Sequence, residues 1–172
     1  LGGFSASARP QLVAAAKAEL GRRLADWPEE ARARSLSRHY DPYWLALDPH
    51  KHEAQARQMR AADEAGETFS LMARADEFRA VSEVAVYTGD HPGLFSQLAG
   101  AVAMCGASIV DAKIFTTTDG MAMDVFWLQD AEGRPLTDER RIQRLRETMK
   151  RVLDGEVVPR GDWETTTLRE GQ

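Results

Sequence analysis

Hydrophobic residues recur with a helical period in the first part of the chain. An apolar residue stands at every fourth position after Pro10, and this spacing predicts one buried face of a helix. The residues of that face are Leu12, Ala16, Leu20 and Leu24. A second helix is predicted from residue 29 to about residue 39. The aromatic, proline-containing stretch 40–45 is predicted to be a packed turn.

The next helix carries signals at both of its ends. Asp48 is a capping residue and Pro49 fits the first helical turn, while Gly66 is typical of a helix terminus. The helix between them has few large apolar residues, Met59 being the main one. We therefore expect this helix to pack thinly, or against something absent from this chain.

Beyond residue 78 the pattern changes to strands that alternate with helical stripes. The predicted strands are 81–88, 108–117 and 121–129, and the helical stripes run over 94–102 and 142–153. Asp119 and Gly120 predict a tight hairpin between the last two strands. The order is β-α-β-β-α, so one more strand would complete a ferredoxin-like βαββαβ unit. Candidates for that strand are residues 157–158 and 163–168.

These patterns predict an α+β fold with three parts. The parts are a helical segment over 1–78, a ferredoxin-like domain over 79–155, and a tail or poorly formed last strand over 156–172. The chain opens on Leu1 without an initiator Met or a signal pattern, so we expect a piece of a longer protein.

Composition excludes several classes of function. Lys and Arg number 22 against 27 Asp and Glu, and the formal charge of −5 argues against binding to nucleic acid. No apolar run approaches the ~18 residues that a membrane span needs. Cys105 is the single cysteine in the chain and is flanked by apolar residues, so we expect a small buried side chain in a reducing cytoplasm.

No complete catalytic or metal site is predicted. His50 and His52 are two residues apart, a spacing that points side chains to different sides of a helix, whereas helical metal pairs prefer three or four. Asp41 and Asp48 lack a partner base or nucleophile, so they do not form an acid–base pair.

Sequence motifs in the second part resemble the ACT domain, a small-molecule-sensing module. Residues 84–95 (VAVYTGDHPGLF) match its first strand, its Asp-x-Pro-Gly-Leu turn and the start of its first helix, and residues 106–112 and 116–120 fit its second strand and hairpin. Upstream, residues 1–4, 24–30 and 38–45 are similar to the segment before the first ACT domain of bifunctional PII uridylyltransferase/uridylyl-removing enzymes. The fold that the resemblance implies is therefore an ACT domain preceded by helices.

The resemblance also implies a function for the parent protein. Enzymes of this family are bacterial nitrogen sensors that add UMP to the PII signalling protein and remove it, with L-glutamine as the signal. Their nucleotidyltransferase and HD hydrolase domains lie N-terminal to this stretch. Mg²⁺ or Mn²⁺ and UTP would belong to those domains, so no cofactor is expected in this chain. The partners implied are PII, through the parent enzyme, and another ACT domain in cis or trans.

A ligand site is predicted where the first strand of the domain turns into its helix. The first amides of a helix lack intrahelical partners and suit a carboxylate, while Asp90 could accept from the ammonium group of an amino acid. The predicted ligand residues are Asp90, His91, Pro92, Gly93, Leu94 and Phe95, with Ser108, Ile109 and Val110 supplied across an ACT–ACT interface.

Other interpretations remain open at this point. Asp90 could simply cap the helix, with Pro92 and Gly93 making only the turn. The domain could also be a docking module between catalytic domains and a second ACT copy, or an amino-acid-binding module of another metabolic enzyme.

Overall fold

The first part of the chain is helical, and strands with two further helices follow it. The computed structural model describes residues 8–159. Within them, the helices are α1 (Arg9–Arg23), α2 (Glu29–Ser37), α3 (Asp41–Ala46), α4 (Pro49–Ala65), α5 (Leu94–Met104) and α6 (Glu139–Leu153). The strands are β1 (Phe69–Asp76), β2 (Val81–Gly89), β3 (Ser108–Thr116) and β4 (Met121–Gln129). Among these helices, none is long and apolar enough to span a membrane.

Helix α4 begins and ends where its sequence signals predicted. The Asp48 carboxylate accepts a hydrogen bond from the Lys51 amide at 3.0 Å, and Gly66 adopts a left-handed φ of 68° at the other end. The expectation of thin packing was wrong. The helix buries a full face in which polar side chains take the place of large apolar ones: His52, Gln55, Ala56, Gln58, Met59 and Ala62.

Two further expectations for the helical part need correction. Residues 40–45 were predicted to form a turn, but residues 41–46 form the short helix α3 with a proline in its first turn. A proline is compatible with helix there because the first-turn amides have no intrahelical acceptor. In α1, Leu20 and the C-cap residue Leu24 are buried as predicted, but at the start of the helix Val13 is buried in place of Leu12, which is 38% exposed.

The sheet has four antiparallel strands in the order β1-β2-β4-β3. Strand β4 lies between β2 and β3, which α5 joins, and this is the split β-α-β arrangement of a ferredoxin-like unit. The predicted α+β, ferredoxin-like class is confirmed. The place beside β2 is filled by β1, so the described residues follow the order ββαββα, whereas the sequence analysis placed a tail or a poorly formed last strand after α6.

Strand β1 was missed because only its first half looks like a strand. Phe69 and Leu71 are buried, but residues 72–75 are exposed at the edge of the sheet. The helical segment therefore ends near Gly66, not at residue 78. After α6, residues 157–158 form no strand, and residues 163–168 lie outside the described part of the chain.

The core around β4 follows the predicted stripes. Strand β4 is buried on both faces, as a central strand is. The helical residues that are buried are Leu94, Leu98, Ala101 and Val102 in α5 and Ile142, Leu145, Met149 and Val152 in α6. Each large apolar side chain contributes about 1.5–3 kcal/mol by leaving water. The hairpin after β3 turns at Gly120, whose φ is 82°.

The described residues divide into two compact units. The helical unit comprises the residues up to Ser70 together with Tyr87–Gly89 and Phe115–Met123. The sheet unit comprises Leu71–Val86, Asp90–Ile114 and the described residues from Asp124 onward.

Candidate functional site

The predicted ligand turn lies in the sheet unit as an open, ordered connection. Gly93 is the N-cap of α5 and has a φ of 85°, a left-handed conformation that glycine adopts without strain. Residues 90–93 are exposed, whereas Leu94 is buried and anchors the start of the helix. Phe95 is partly exposed and stacks on Phe126 of β4 with ring centroids 5.9 Å apart.

The first turn of α5 presents backbone donors that no side chain caps. The first hydrogen bond along the helix runs from the Gln97 amide to the Gly93 carbonyl at 3.0 Å. The amides of Phe95 and Ser96 therefore precede the intrahelical ladder, and the helix dipole adds partial positive charge around them. Such a group of donors can receive a carboxylate. Gly93, rather than Asp90, occupies the N-cap position of α5.

His91 is held at the rim of this turn. Its Nε2 atom lies 2.6 Å from the amide oxygen of Gln97, in the first turn of the helix. The Leu94 amide donates to the His91 carbonyl at 3.2 Å and closes the turn. His91 thus has a structural partner, and its predicted role as a ligand residue stays a prediction.

The strand residues of the predicted site lie at the far end of α5. Helix α5 has eleven residues and a length of about 16 Å, and Ser108–Val110 follow its C-terminal end while the turn precedes its N-terminal end. One copy of the chain therefore does not bring the two sets together. Ser108 and Val110 are exposed on β3, an edge strand, where another chain can reach them.

Sequence reasoning missed a buried polar cluster in the helical unit, here called the Arg38 cluster. It consists of Arg38, Asp63, Tyr87 and Asp119. The Arg38 guanidinium donates to the Tyr87 hydroxyl at 2.6 Å, to Asp119 at 3.0 Å and to Asp63 at 3.2 Å. The Tyr87 hydroxyl in turn donates to Asp63 at 2.7 Å. Burial, with this bond to Asp63, raises the pKa of Tyr87 to about 12.

A second buried cluster surrounds His39 in the helical unit. The His39 ring stacks on Tyr43 at 3.7 Å between centroids, and His52 lies beside Tyr43 with its Nε2 atom 3.2 Å from the Tyr43 carbonyl. Burial, aided by the positive charge of Arg38, lowers the pKa of His39 to about 3. The Arg38 cluster joins residues far apart in sequence, so no local motif could have revealed it, whereas the His39 cluster lies within residues 39–52.

Across residues 8–159, no three His, Cys, Asp or Glu side chains come together as a metal ion would require. His39 and His52 instead pack against aromatic rings.

Comparison with known proteins identifies relatives over nearly the whole chain. No protein-family profile matches it. A bifunctional uridylyltransferase/uridylyl-removing enzyme of Rhodospirillum rubrum is 48% identical over 155 residues, 90% of this chain. Enzymes of the same name from Rhodopseudomonas palustris and Ruegeria pomeroyi are each 40% identical, over 91% and 84% of the chain. The chain is homologous to a segment of these enzymes.

The uridylyltransferase relatives are much longer than this chain. The chain spans only about one sixth of their length, 17% for the Rhodospirillum rubrum enzyme. The resemblance read from the motifs around residues 24–45 and 84–120 is confirmed as a match to this part of the family.

Proposed function

We propose that the chain is an ACT-type regulatory segment of a bifunctional PII uridylyltransferase/uridylyl-removing enzyme and that it binds L-glutamine. The observation that carries the proposal is the uncapped first turn of α5, which opens onto an exposed turn at Gly93. It occurs in a chain whose relatives are named for uridylyl transfer and removal.

The turn offers complementary groups for an amino acid. The amides of Phe95 and Ser96 would receive the carboxylate of the ligand, where the helix dipole favours negative charge. The exposed Asp90 carboxylate would accept from its ammonium group. Gly93 has open space where a Cβ atom would stand, so a ligand can approach the main chain closely.

A second ACT domain would complete the site. Ser108, Ile109 and Val110 lie too far along α5 to reach the turn of their own copy, and edge strand β3 exposes its backbone to a neighbour. That neighbour would come from elsewhere in the enzyme or from another molecule of it. Closure between two copies would make glutamine affinity depend on their arrangement.

Regulation of the enzyme then follows from preferential binding. Glutamine shifts the balance between adding UMP to PII and removing it only if it binds one arrangement of domains more tightly than another. The catalytic chemistry, with UTP and Mg²⁺ or Mn²⁺, is assigned in this proposal to parts of the enzyme outside this chain.

Calorimetric titration of the chain with L-glutamine tests the proposal. We expect saturable heat for L-glutamine and none for glycine or L-glutamate at the same concentrations. Asp90→Ala should abolish binding, whereas Asp154→Ala, which removes an exposed carboxylate at the end of α6, should leave it unchanged. Equal loss in both variants, or no heat at millimolar glutamine, would contradict glutamine sensing by this copy.

A docking role is the second candidate, favoured by the exposed apolar face of β3. Val110 is 54% and Ile114 is 47% exposed on this edge strand. If glutamine does not bind, a complex between this chain and the rest of the enzyme that Ile114→Ser weakens would support docking. Unchanged complex formation in that variant would count against it.

A further inference from the structure

The last two side chains of β2 before Gly89 are both tethered within the helical unit. The Thr88 hydroxyl donates to the Thr68 carbonyl at 2.9 Å, and the Tyr87 hydroxyl bonds both Arg38 and Asp63. Tyr87 and Thr88 point to opposite sides of the strand, so the strand end is held from both sides. The candidate ligand turn begins immediately afterwards, at Asp90.

Arg38 links this strand end to three other parts of the chain. It follows the last residue of α2, and its side chain is only 4% exposed. The guanidinium bonds Asp63 near the end of α4 and Asp119 in the β3–β4 hairpin, while the Arg38 carbonyl accepts from the Thr118 amide at 2.8 Å. One residue thus fixes both helices and the hairpin to the end of β2.

We propose that Arg38, acting through Tyr87, is a positioning residue of the ligand turn and makes α2 and α4 respond to occupancy of that turn. The inference rests on the proposed glutamine site. Because the Tyr87 hydroxyl is held between a cation and an anion, moving the end of β2 breaks two charge-assisted hydrogen bonds. The turn is consequently preorganised when the Arg38 cluster is intact, and a shift of the turn is passed to Asp63 in α4.

The identity of Arg38 matters for this role. Its planar fork reaches Asp63 through Nη1, and Tyr87 and Asp119 through Nη2. A lysine would keep the charge but would present a single point donor on a flexible stem. Arg38→Lys should therefore behave like loss of the tyrosine hydroxyl and should not restore coupling.

Hydrogen exchange of the ligand-free chain tests the positioning role directly. We compare Tyr87→Phe with Tyr43→Phe, which removes a buried hydroxyl bonded to Gln55 at 2.8 Å in the same unit but outside the Arg38 cluster. Tyr87→Phe should speed exchange of the hydrogen-bonded amides within residues 90–97, those of Leu94 and Gln97, and of the last turn of α4 by about tenfold. Tyr43→Phe should leave the exchange rates of the turn amides as they are in the unsubstituted chain. If the amides in residues 90–97 exchange at the same rate in the unsubstituted chain and in Tyr87→Phe, the inference is wrong.

Glutamine binding adds the second readout. In the chain without substitutions, glutamine should slow hydrogen exchange of the amides in α2 and at the end of α4. Tyr87→Phe and Arg38→Lys should bind glutamine about 5- to 10-fold more weakly and lose that distant protection. Protection of α2 and α4 that persists in Tyr87→Phe would refute coupling through Arg38. If the unsubstituted chain binds no glutamine, the proposed function fails for this ACT copy. The exchange comparison without ligand still decides whether Arg38 positions the turn.

Discussion

Acid should destabilise the folded chain through His39. The loss of stability should begin as the pH falls below 6.5, above the ordinary aspartate pKa of 3.8. The folded pKa of His39 is lowered from 6.5 to about 3, first by burial and then by the charges of Arg38 and His52. Below pH 6.5 the unfolded chain therefore binds a proton that the folded chain does not. Stability is fully present above that pH and is lost as the pH falls towards 3.

The size of the effect follows from the gap between the two pKa values. Each pH unit below 6.5 costs about 1.4 kcal/mol until the folded pKa is reached, so the ceiling for the whole gap is about 5 kcal/mol. Between pH 6.5 and 4.5 the loss should be about 2 to 3 kcal/mol. This range lies above the ordinary pKa of 3.8 for Asp48 and Asp119, whose folded pKa values are lowered.

Urea unfolding at several pH values measures this loss. His39→Phe keeps an aromatic ring against Tyr43 but cannot titrate, so its stability should fall by about 2 to 3 kcal/mol less than that of the parent over the same range. His50→Phe replaces an exposed imidazole and should follow the parent. Parallel curves for the parent and His39→Phe would refute the reasoning.

Three further substitutions test the fold and the turn. Asp48→Ala removes the cap of α4 and should lower the free energy of unfolding in urea by about 1 kcal/mol, whereas no change would mean that the cap is not used. Gly93→Ala meets no atom within 4 Å, so its cost of about 1 kcal/mol should be purely conformational, and calorimetry should show weaker glutamine binding. Met149→Ala should lower the melting temperature through a loss of about 2–5 kcal/mol, and a smaller loss would indicate that the core collapses around the site.

The elements that the sequence predicted well carry their signals locally. Both ends of α4 were predicted because the Asp48 carboxylate bonds an amide three residues away and Gly66 needs a left-handed conformation. The hairpin at Gly120 and the buried stripe of α6 are equally local. Strand β1 was missed because an edge strand with four exposed residues in succession carries little alternation.

The candidate site also has one part that local sequence predicted and one part that it did not. The turn at residues 90–95 was found because a strand, a glycine and a helix start follow one another in sequence. The Arg38 cluster was not found because Asp63, Tyr87 and Asp119 come from separate segments, and only folding brings them to one guanidinium. Its detection needs long-range pairing that no window of neighbouring residues contains.

The place of β1 beside β2 has a consequence for how the sheet is assembled and how fragments should be cut. Only residues 77–80 separate the two strands, so this pair closes through a short loop, with low contact order, before the chain beyond α6 is required. A fragment beginning at residue 79 would lose β1 and leave β2 paired only with β4, so that the other side of β2 becomes an open edge that promotes aggregation. Recombinant versions of the domain should therefore begin before Thr68.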